Sequence, residues 1–384
     1  MTALSRAYNI DDLRLAAKRR LPRGIFEYVD RGTEGETSLK DNRAAFERIR
    51  FLPRVLGETA TRSLGTTLFG KTQLLPMAIA PMSPSGLLWH EGELALARAA
   101  AAMGIPYTSP TESMTALERV AGAGGRLWFQ LYVWKDRRHA LALLDRVDRA
   151  GYEALILTVD TATIPNREFN SRNGFAMPIR PSLRAGLDVL RHPRWLFGVL
   201  GRYVAQDGLP QTANHPEGYR NAIFAEPPDD ATRIAPDTTW DDVREIRRRW
   251  KKPLIVKGIL RAEDARKAVE LGCEGIVVSN HGARNFDSAI ASIDALPAIA
   301  DAVGDRATVL LDSGIRRGSD IAKAVALGAK AVLVGRAALY GLAVGGEAGA
   351  RHALKLLASE LDKTLGFAGC ANLGQLDRGL LVKR

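Results

Sequence analysis

The sequence predicts an α/β protein built on a (β/α)8 TIM barrel. Eight short apolar runs recur along the chain, each ends in polar or glycine residues, and a helical stretch follows each. The runs cover residues 77–81, 106–109, 128–132, 155–160, 254–258, 275–280, 309–314 and 332–336. Continuous apolar runs mark strands buried on both faces, hence a parallel sheet covered by helices. The segments between them, such as GELALARAAAAMG and GSDIAKAVALG, carry apolar residues at helical spacing and stop at glycine. A closed barrel accounts for the number eight, whereas an open sheet has no reason to stop there.

A barrel of this kind takes roughly 250 residues, so about 130 of the 384 must lie elsewhere. Two segments accommodate them within one domain spanning 1–384. An N-terminal extension, 1–70, precedes the first strand and is expected to hold one helix and a loop, IFEYVDRGTEGE. An insertion, 161–239, separates strands four and five, where a connection usually takes about 2–6 residues. Insertions there stand at the catalytic face, so a lid or docking role is expected.

Composition narrows the class. The chain is 46% hydrophobic and 25% charged, the balance of an ordinary globular protein. Its two cysteines, Cys273 and Cys370, lack C-x-x-C spacing, which argues against a structural zinc site and a disulfide framework. No metal is expected, and a reducing, cytoplasmic compartment fits best. The N-terminal residues lack a secretory pattern, and no apolar stretch reaches the ~18 residues of a membrane span. The net charge of +11 is spread widely without an aromatic-studded basic motif, so nucleic acid is not an expected partner.

Side chains at the C-terminal ends of barrel strands converge on one mouth. Here they are Ser83, Gln130, Tyr132, Thr158, Asp160, Lys257, Ser279, His281, Asp312, Gly335 and Arg336. His281 stands in SNHGAR; alone it would read as a turn cap, but Arg284 places a fixed cation beside a potential base. A histidine near pKa ~6.5 can take a proton at neutral pH, and a guanidinium fork can hold a carboxylate. Asp160 could pair with the imidazolium. Gly314, Arg316 and Gly318 after the seventh strand, with Gly335 and Arg336 after the eighth, suit a phosphate group. Lys257 ends an apolar run where an unpaired ammonium is costly. It either pairs with a carboxylate such as Asp312 or faces a bound group.

SNHGAR, DSGIRRGSD and VGR, with LPRGIFEYVDRGTEGE, LWFQLYV, LTVDTATIPNREFNSRNGF and LIVKGILRAEDA, resemble the FMN-dependent 2-hydroxy acid oxidase and dehydrogenase family. The likeness to these glycolate oxidase-like enzymes covers nearly the whole chain and is greatest for the (S)-mandelate dehydrogenase branch. It implies an enzyme that converts an (S)-2-hydroxy acid, mandelate or lactate, into the 2-oxo acid. His281 would be the base, hydride would pass to flavin N5, and electrons would go on to a quinone-type acceptor or to oxygen. Catalytic residues carried across are Tyr28, Tyr132, Asp160, Arg167, Lys257, His281 and Arg284. Of these, Tyr28, Tyr132, Arg167, His281 and Arg284 would meet the substrate; Tyr28 rests on the resemblance alone.

The flavin contacts so implied are the backbone around Ala80, Pro81, Met82 and Ser83, then Gln130, Thr158, Lys257 and Ser279. Asp312, Ser313, Gly314, Arg316, Gly335 and Arg336 would take the ribityl chain and phosphate. Lys257 would steady the reduced flavin, a unit charge at ~4 Å contributing on the order of 4 kcal/mol at an effective dielectric of ~20. Some positions depart from the family pattern. Pro110 stands near the usual flavin-contacting serine, leaving Ser109 or Thr111 as substitutes. Ser83 replaces the alanine of oxidases and the glycine of mandelate dehydrogenase, and Asn285 replaces a glutamine. The family usually assembles as homotetramers.

The mandelate dehydrogenase branch also uses its insertion for membrane attachment. Residues 180–206, RPSLRAGLDVLRHPRWLFGVLGRYVAQ, mix arginines with aromatic and aliphatic residues as an interfacial helix does. Contact with the inner face of the cytoplasmic membrane is one reading, and a helix packed on the barrel or a neighbouring subunit is the other. The rival for the whole chain is a different phosphate-binding barrel enzyme, which would leave His281, Arg284 and Arg167 without a purpose.

Overall fold

The apolar runs do pair side by side in the computed structural model, which describes residues 4–175, 179, 182–220 and 225–383. Eight parallel strands among them close into a barrel. They are β1 (Met77–Ile79), β2 (Tyr107–Pro110), β3 (Leu127–Leu131), β4 (Ala154–Thr158), β5 (Leu254–Ile259), β6 (Gly275–Val278), β7 (Thr308–Leu311) and β8 (Ala331–Val334). Closure comes from β8 pairing with β1, Val332 opposite Met77. Each strand is followed by its helix: α1 (Gly92–Ala102), α2 (Leu117–Ala121), α3 (Arg137–Arg149), α4 (Trp240–Arg249), α5 (Ala262–Glu270), α6 (Ser292–Val303), α7 (Gly318–Ala326) and α8 (Arg336–Ala368).

Strand alternation sorts the apolar residues into two layers. Ala78, Ala80, Trp128, Ala154, Ile156, Ile255, Val277, Leu310, Ala331 and Leu333 pack inside the barrel. Phe129, Leu155, Leu157, Val256, Ile276, Val309, Leu311 and Val332 face the helices. The interior alanines leave room for Trp128, whose indole meets Phe69 edge-on at 5.7 Å. Phe69 sits at the tip of a hairpin, Thr66–Leu68 with Lys71–Gln73, that plugs the lower end. The core is thus filled from below, and the upper ends of the strands are left for polar groups.

Both additions differ in detail from expectation. Among the described residues the N-terminal segment folds as three α-helices rather than one: Ile10–Arg20, Arg23–Asp30 and Thr37–Arg48. IFEYVD, expected in a loop, is helical. Asn9 caps the first helix by accepting from Asp12 N, and Leu13, Ala17, Ile25, Phe26 and Val29 are buried. The helical pair is held to α8 by polar bonds as well. Asp30 binds Arg14 at 2.6 Å and accepts from the Tyr340 hydroxyl at 2.7 Å.

The insertion packs one face on the barrel, as one of its two readings expects, and leaves another face exposed. It contains helices Leu183–Leu190, Pro193–Trp195 and Gly201–Gln206, the last two joined by a π turn, Leu196–Leu200. Trp195, Val199 and Tyr203, four residues apart, are buried against the barrel. The Trp195 indole N–H donates to Leu87 O at 2.6 Å, in the loop after β1. Leu183, Leu187, Leu190, Phe197 and Val204 are exposed, flanked by exposed Arg191, Arg194 and Arg202. Arg180 and Pro181, which begin the expected membrane segment, lie outside the described residues. Among the described residues no helix is long and apolar enough to cross a membrane.

Candidate active site

Beyond the last hydrogen-bonded residue of β6, the two-residue period carries Ser279 and His281 inward. His281, Gly282 and Ala283 then run consecutively in the left-handed region, with φ of 57°, 64° and 59°. Two of these three bear a Cβ, which disfavours that conformation. The turn persists because its polar groups are tied down. His281 N donates to Ser279 Oγ at 3.0 Å, Gly282 N to Ser313 Oγ at 2.9 Å and Ala283 N to Asn280 Oδ1 at 3.2 Å.

The turn delivers the imidazole to Asp160 at the end of β4, with Nδ1 and Oδ1 2.8 Å apart. Gly258 makes room for this carboxylate, since a Cβ there would stand 2.5 Å from Asp160 Cβ. With Nδ1–H donating to Asp160, the neutral ring keeps its lone pair on Nε2, which lies 3.4 Å from the Tyr132 hydroxyl. Burial lowers the His281 pKa below its usual value, although Asp160 pulls the other way. The resting imidazole is therefore neutral near pH 7. Burial alone would raise Asp160, but His281 and the Lys257 ammonium outweigh it and hold the carboxyl below the usual range. Burial, then Asp160, pushes Tyr132 up to about 12, so its phenol stays protonated.

Two cations gather at the Tyr28 ring, and one of them, Arg167, acts on His281. The Arg284 guanidinium lies 4.9 Å from the centre of the Tyr28 ring, and Arg167 lies 5.9 Å from the same ring. Arg284 donates to Tyr28 O at 2.6 Å, and Arg167 to Arg284 O at 3.1 Å. Neither pairs with a carboxylate among the described residues. Burial first, and then Arg167, pushes Arg284 down to about 9. A buried positive charge without a counterion is costly, and an anion would relieve it.

Lys257 makes the carboxylate pair that one of its two sequence readings expects. Its Nζ lies 3.1 Å from Asp312 Oδ2 and 2.9 Å from Ser279 Oγ, on the inner wall of the barrel. Burial would lower its pKa, but Asp312 and Asp160 raise it above the usual value, so the ammonium stays charged.

The inner wall also carries polar atoms with no protein partner. Gln130 Nε2 and Thr158 Oγ1, at the upper ends of β3 and β4, are buried and unsatisfied. Thr111 N donates to Gln130 Oε1 at 3.3 Å, which commits the acceptor end of that amide and leaves its donor end for a ligand. A buried unsatisfied group costs about 1–3 kcal/mol. Two of them on the stretch of inner wall that also carries Lys257 fit a polar cofactor held in the barrel mouth.

Several predicted contacts need revision. Ser109 pairs in register with Phe129 and shares the outer face with Tyr107, so its side chain is directed away from the interior. Thr108 and Pro110 hold the inner positions of β2. Thr111 donates its hydroxyl to Gln130 O at 2.7 Å, so it positions Gln130. The Ser83 hydroxyl donates to Glu112 O, which leaves the backbone from Ala80 to Ser83 as the available contact.

At the end expected to take a phosphate, Ser313 and Gly314 are left-handed, with φ of 73° and 94°. The N-terminus of α7 is already satisfied, because Arg316 N and Arg317 N donate to Asp320 at 2.9 Å and Gly318 N to Glu360 at 2.8 Å. Gly318 therefore drops out. Helix α8, by contrast, has Gly335 as its N-cap and no side-chain cap, the arrangement that suits an anion. Arg336 spends three donors on carbonyls of Val29, Gly282 and Arg31 at 2.8–3.0 Å, and two of its five remain. Arg316 lies over the Tyr340 ring at 5.7 Å. Asn285 takes a bridging position, donating to Asp160 O and Thr161 Oγ1, both at 2.9 Å, and accepting from Arg167 at 3.4 Å.

Sequence reasoning missed a reciprocal amide pair under the turn, Asn42 with Asn280, at 3.0 and 2.9 Å. Asn280 was visible inside SNHG, but its partner lies 238 residues away on the third N-terminal helix.

Fold and site together define a (β/α)8 enzyme with a buried imidazole–carboxylate pair beside an anion pocket. The chain belongs to the FMN-dependent dehydrogenase family, whose model matches residues 17–383, and FMN is its cofactor. An L-lactate oxidase of Nostoc sp. is 42% identical over 99% of this chain and 100% of the relative. An (S)-mandelate dehydrogenase of Pseudomonas putida is 39% identical over 96% and 92%. Among solved structures, a monotopic membrane protein (S)-mandelate dehydrogenase superposes with a TM-score of 0.89 at 37% identity, covering 99% of this chain and all of that one.

Proposed function

We propose that the protein oxidises an (S)-2-hydroxy acid to the 2-oxo acid, with His281 as the base. The observation that carries this reading is the His281–Asp160 pair, 2.8 Å apart, beside two guanidinium groups that have no carboxylate partner. Arg167 and Arg284 hold the substrate carboxylate, each charge-assisted bond contributing roughly 1.5–3 kcal/mol. The Tyr28 ring, which both guanidiniums overlie, keeps them together. Tyr132, a protonated phenol, and His281 Nε2 meet the 2-hydroxyl. His281 Nε2 takes the hydroxyl proton as the Cα hydrogen leaves with two electrons, and Asp160 balances the resulting imidazolium. FMN, when bound, accepts that hydrogen and its electrons. Lys257, kept charged by Asp312, supplies positive charge on the cofactor wall.

The relatives are named for lactate and for mandelate, and both acids fit this chemistry. A quinone-type acceptor dissolved in a membrane is favoured by the exposed apolar face of the insertion. Its closeness in fold to a protein described as monotopic supports the same reading. The test is anaerobic flavin bleaching with lactate, glycolate and mandelate in turn, followed by re-oxidation with a quinone or with oxygen. At least one acid should bleach the native protein. His281→Gln, with FMN still bound, should be bleached at least a hundredfold more slowly. Native kinetics in that variant would reject His281 as the base.

A further inference from the structure

Ser313 occupies a backbone conformation that suits glycine, at φ 73°, and it is followed by a glycine in the same region. A side chain is kept there at a conformational cost, and what it contributes is a hydroxyl used twice. Ser313 Oγ donates to Asp312 Oδ1 at 2.8 Å and accepts from Gly282 N at 2.9 Å. Asp312 in turn holds Lys257 Nζ at 3.1 Å through its other oxygen. A second path leaves the same ammonium: Lys257 Nζ to Ser279 Oγ at 2.9 Å, and Ser279 Oγ from His281 N at 3.0 Å. Two hydrogen-bonded paths thus run from one buried cation to consecutive N–H groups of the left-handed turn that carries the base.

We propose that Ser313 is a positioning residue for His281, its hydroxyl coupling the Lys257–Asp312 ion pair to the strained turn at Gly282. This rests on the reading of His281 as the base. Ser313 fixes where Nε2 points. It does not itself meet the substrate, whose carboxylate site is built from Arg167 and Arg284. Without the hydroxyl, Gly282 N loses its partner and Asp312 Oδ1 loses a donor, so the turn is held at one N–H fewer and the imidazole swings about its contact with Asp160. Misplacement of a catalytic group by about 1 Å costs on the order of a hundredfold in rate.

Two variants separate the hydroxyl from the backbone strain. Ser313→Ala keeps the Cβ and its strained φ, whereas Ser313→Gly relieves the strain, and both lack the hydroxyl. With FMN added to saturation, both should be reduced by the best 2-hydroxy acid roughly ten- to a hundredfold more slowly, with KM held within about threefold. The pH at which His281 titrates should also move in both. That midpoint is read from the histidine resonances of isotopically labelled protein, with and without FMN, and assigned with His281→Gln. Asp160, Lys257, Tyr132 and Arg167 all face this ring and are unchanged in both variants. Native reduction rates and a native His281 titration in either variant would overturn the proposal. So would a native Ser313→Gly beside a slow Ser313→Ala, which would make the backbone angle the cause. If no 2-hydroxy acid reduces the native protein, the functional reading fails, and the His281 titration still decides the role of Ser313.

Discussion

Replacing Asp160 with asparagine removes a charge and little else, because the side chains are nearly the same size and the amide oxygen can still accept from Nδ1–H. In the native protein Asp160 Oδ1 sits 2.8 Å from His281 Nδ1. Once His281 holds the substrate proton, charges centred ~4 Å apart interact by about 4 kcal/mol at an effective dielectric of ~20. The full charge would correspond to a rate factor of about 10³, and half of it, as in a half-completed transfer, to about 30. Asp160→Asn should therefore slow flavin reduction by roughly 30- to 1,000-fold. KM should change little, since Arg167 and Arg284 are untouched. The acid limb should shift as well. Asp160 raises the His281 pKa against the burial that lowers it, so its loss moves the limb to lower pH. The assay is anaerobic stopped-flow at the flavin absorption band between pH 5 and 9. A rate constant within threefold of native, or a loss confined to KM, would refute the assignment of Asp160 as partner of the imidazolium.

Other predictions follow from the same geometry. Arg284→Leu should raise KM at least tenfold, as loss of a charge-assisted bond of about 1.5–3 kcal/mol requires; an unchanged KM would remove Arg284 from the carboxylate site. In the native enzyme, kcat/KM should rise with pH through a midpoint below 6.5, because the working base is the neutral imidazole, whose pKa burial lowers. Folding should follow the same group. A histidine whose folded pKa lies below its unfolded one contributes stability that is present above pH ~6.5 and declines as pH falls. His281→Gln should therefore lose less Tm than native between pH 7 and 5.5. Leu187→Glu with Phe197→Glu, on the exposed face of the insertion, should abolish co-flotation with anionic lipid vesicles and leave soluble-acceptor activity intact; equal flotation of variant and native would count against membrane docking.

The barrel was legible because its strands announce themselves as apolar runs, and the site because polar residues interrupt those runs at their upper ends. Thr158, Asp160, Lys257, Ser279, His281 and Asp312 could be read that way without any relative. Ser109 could not. In a run such as PYTSP, buried on both faces, no alternation shows which residues face inward, and a one-residue slip exchanges the faces. The N-terminal helices were under-read for another reason: each is short, and their buried residues pack partly against α8, hundreds of residues downstream. Tyr28 and the Asn42–Asn280 pair are equally non-local, and Tyr28 was reached through resemblance alone. The bonds from Arg336 to three carbonyls are invisible in a motif that reads as a phosphate site.

The bonds that seat the N-terminal helices have a consequence for synthesis. Asp30 meets Tyr340 across 310 residues, and Val29 O meets Arg336 across 307. At a translation speed of ~5–20 residues per second, the early helices leave the ribosome roughly 15–60 s before their docking partners exist. During that interval Leu13, Ala17, Phe26 and Val29 lack the α8 surface that later covers them, so helices made early are finished late.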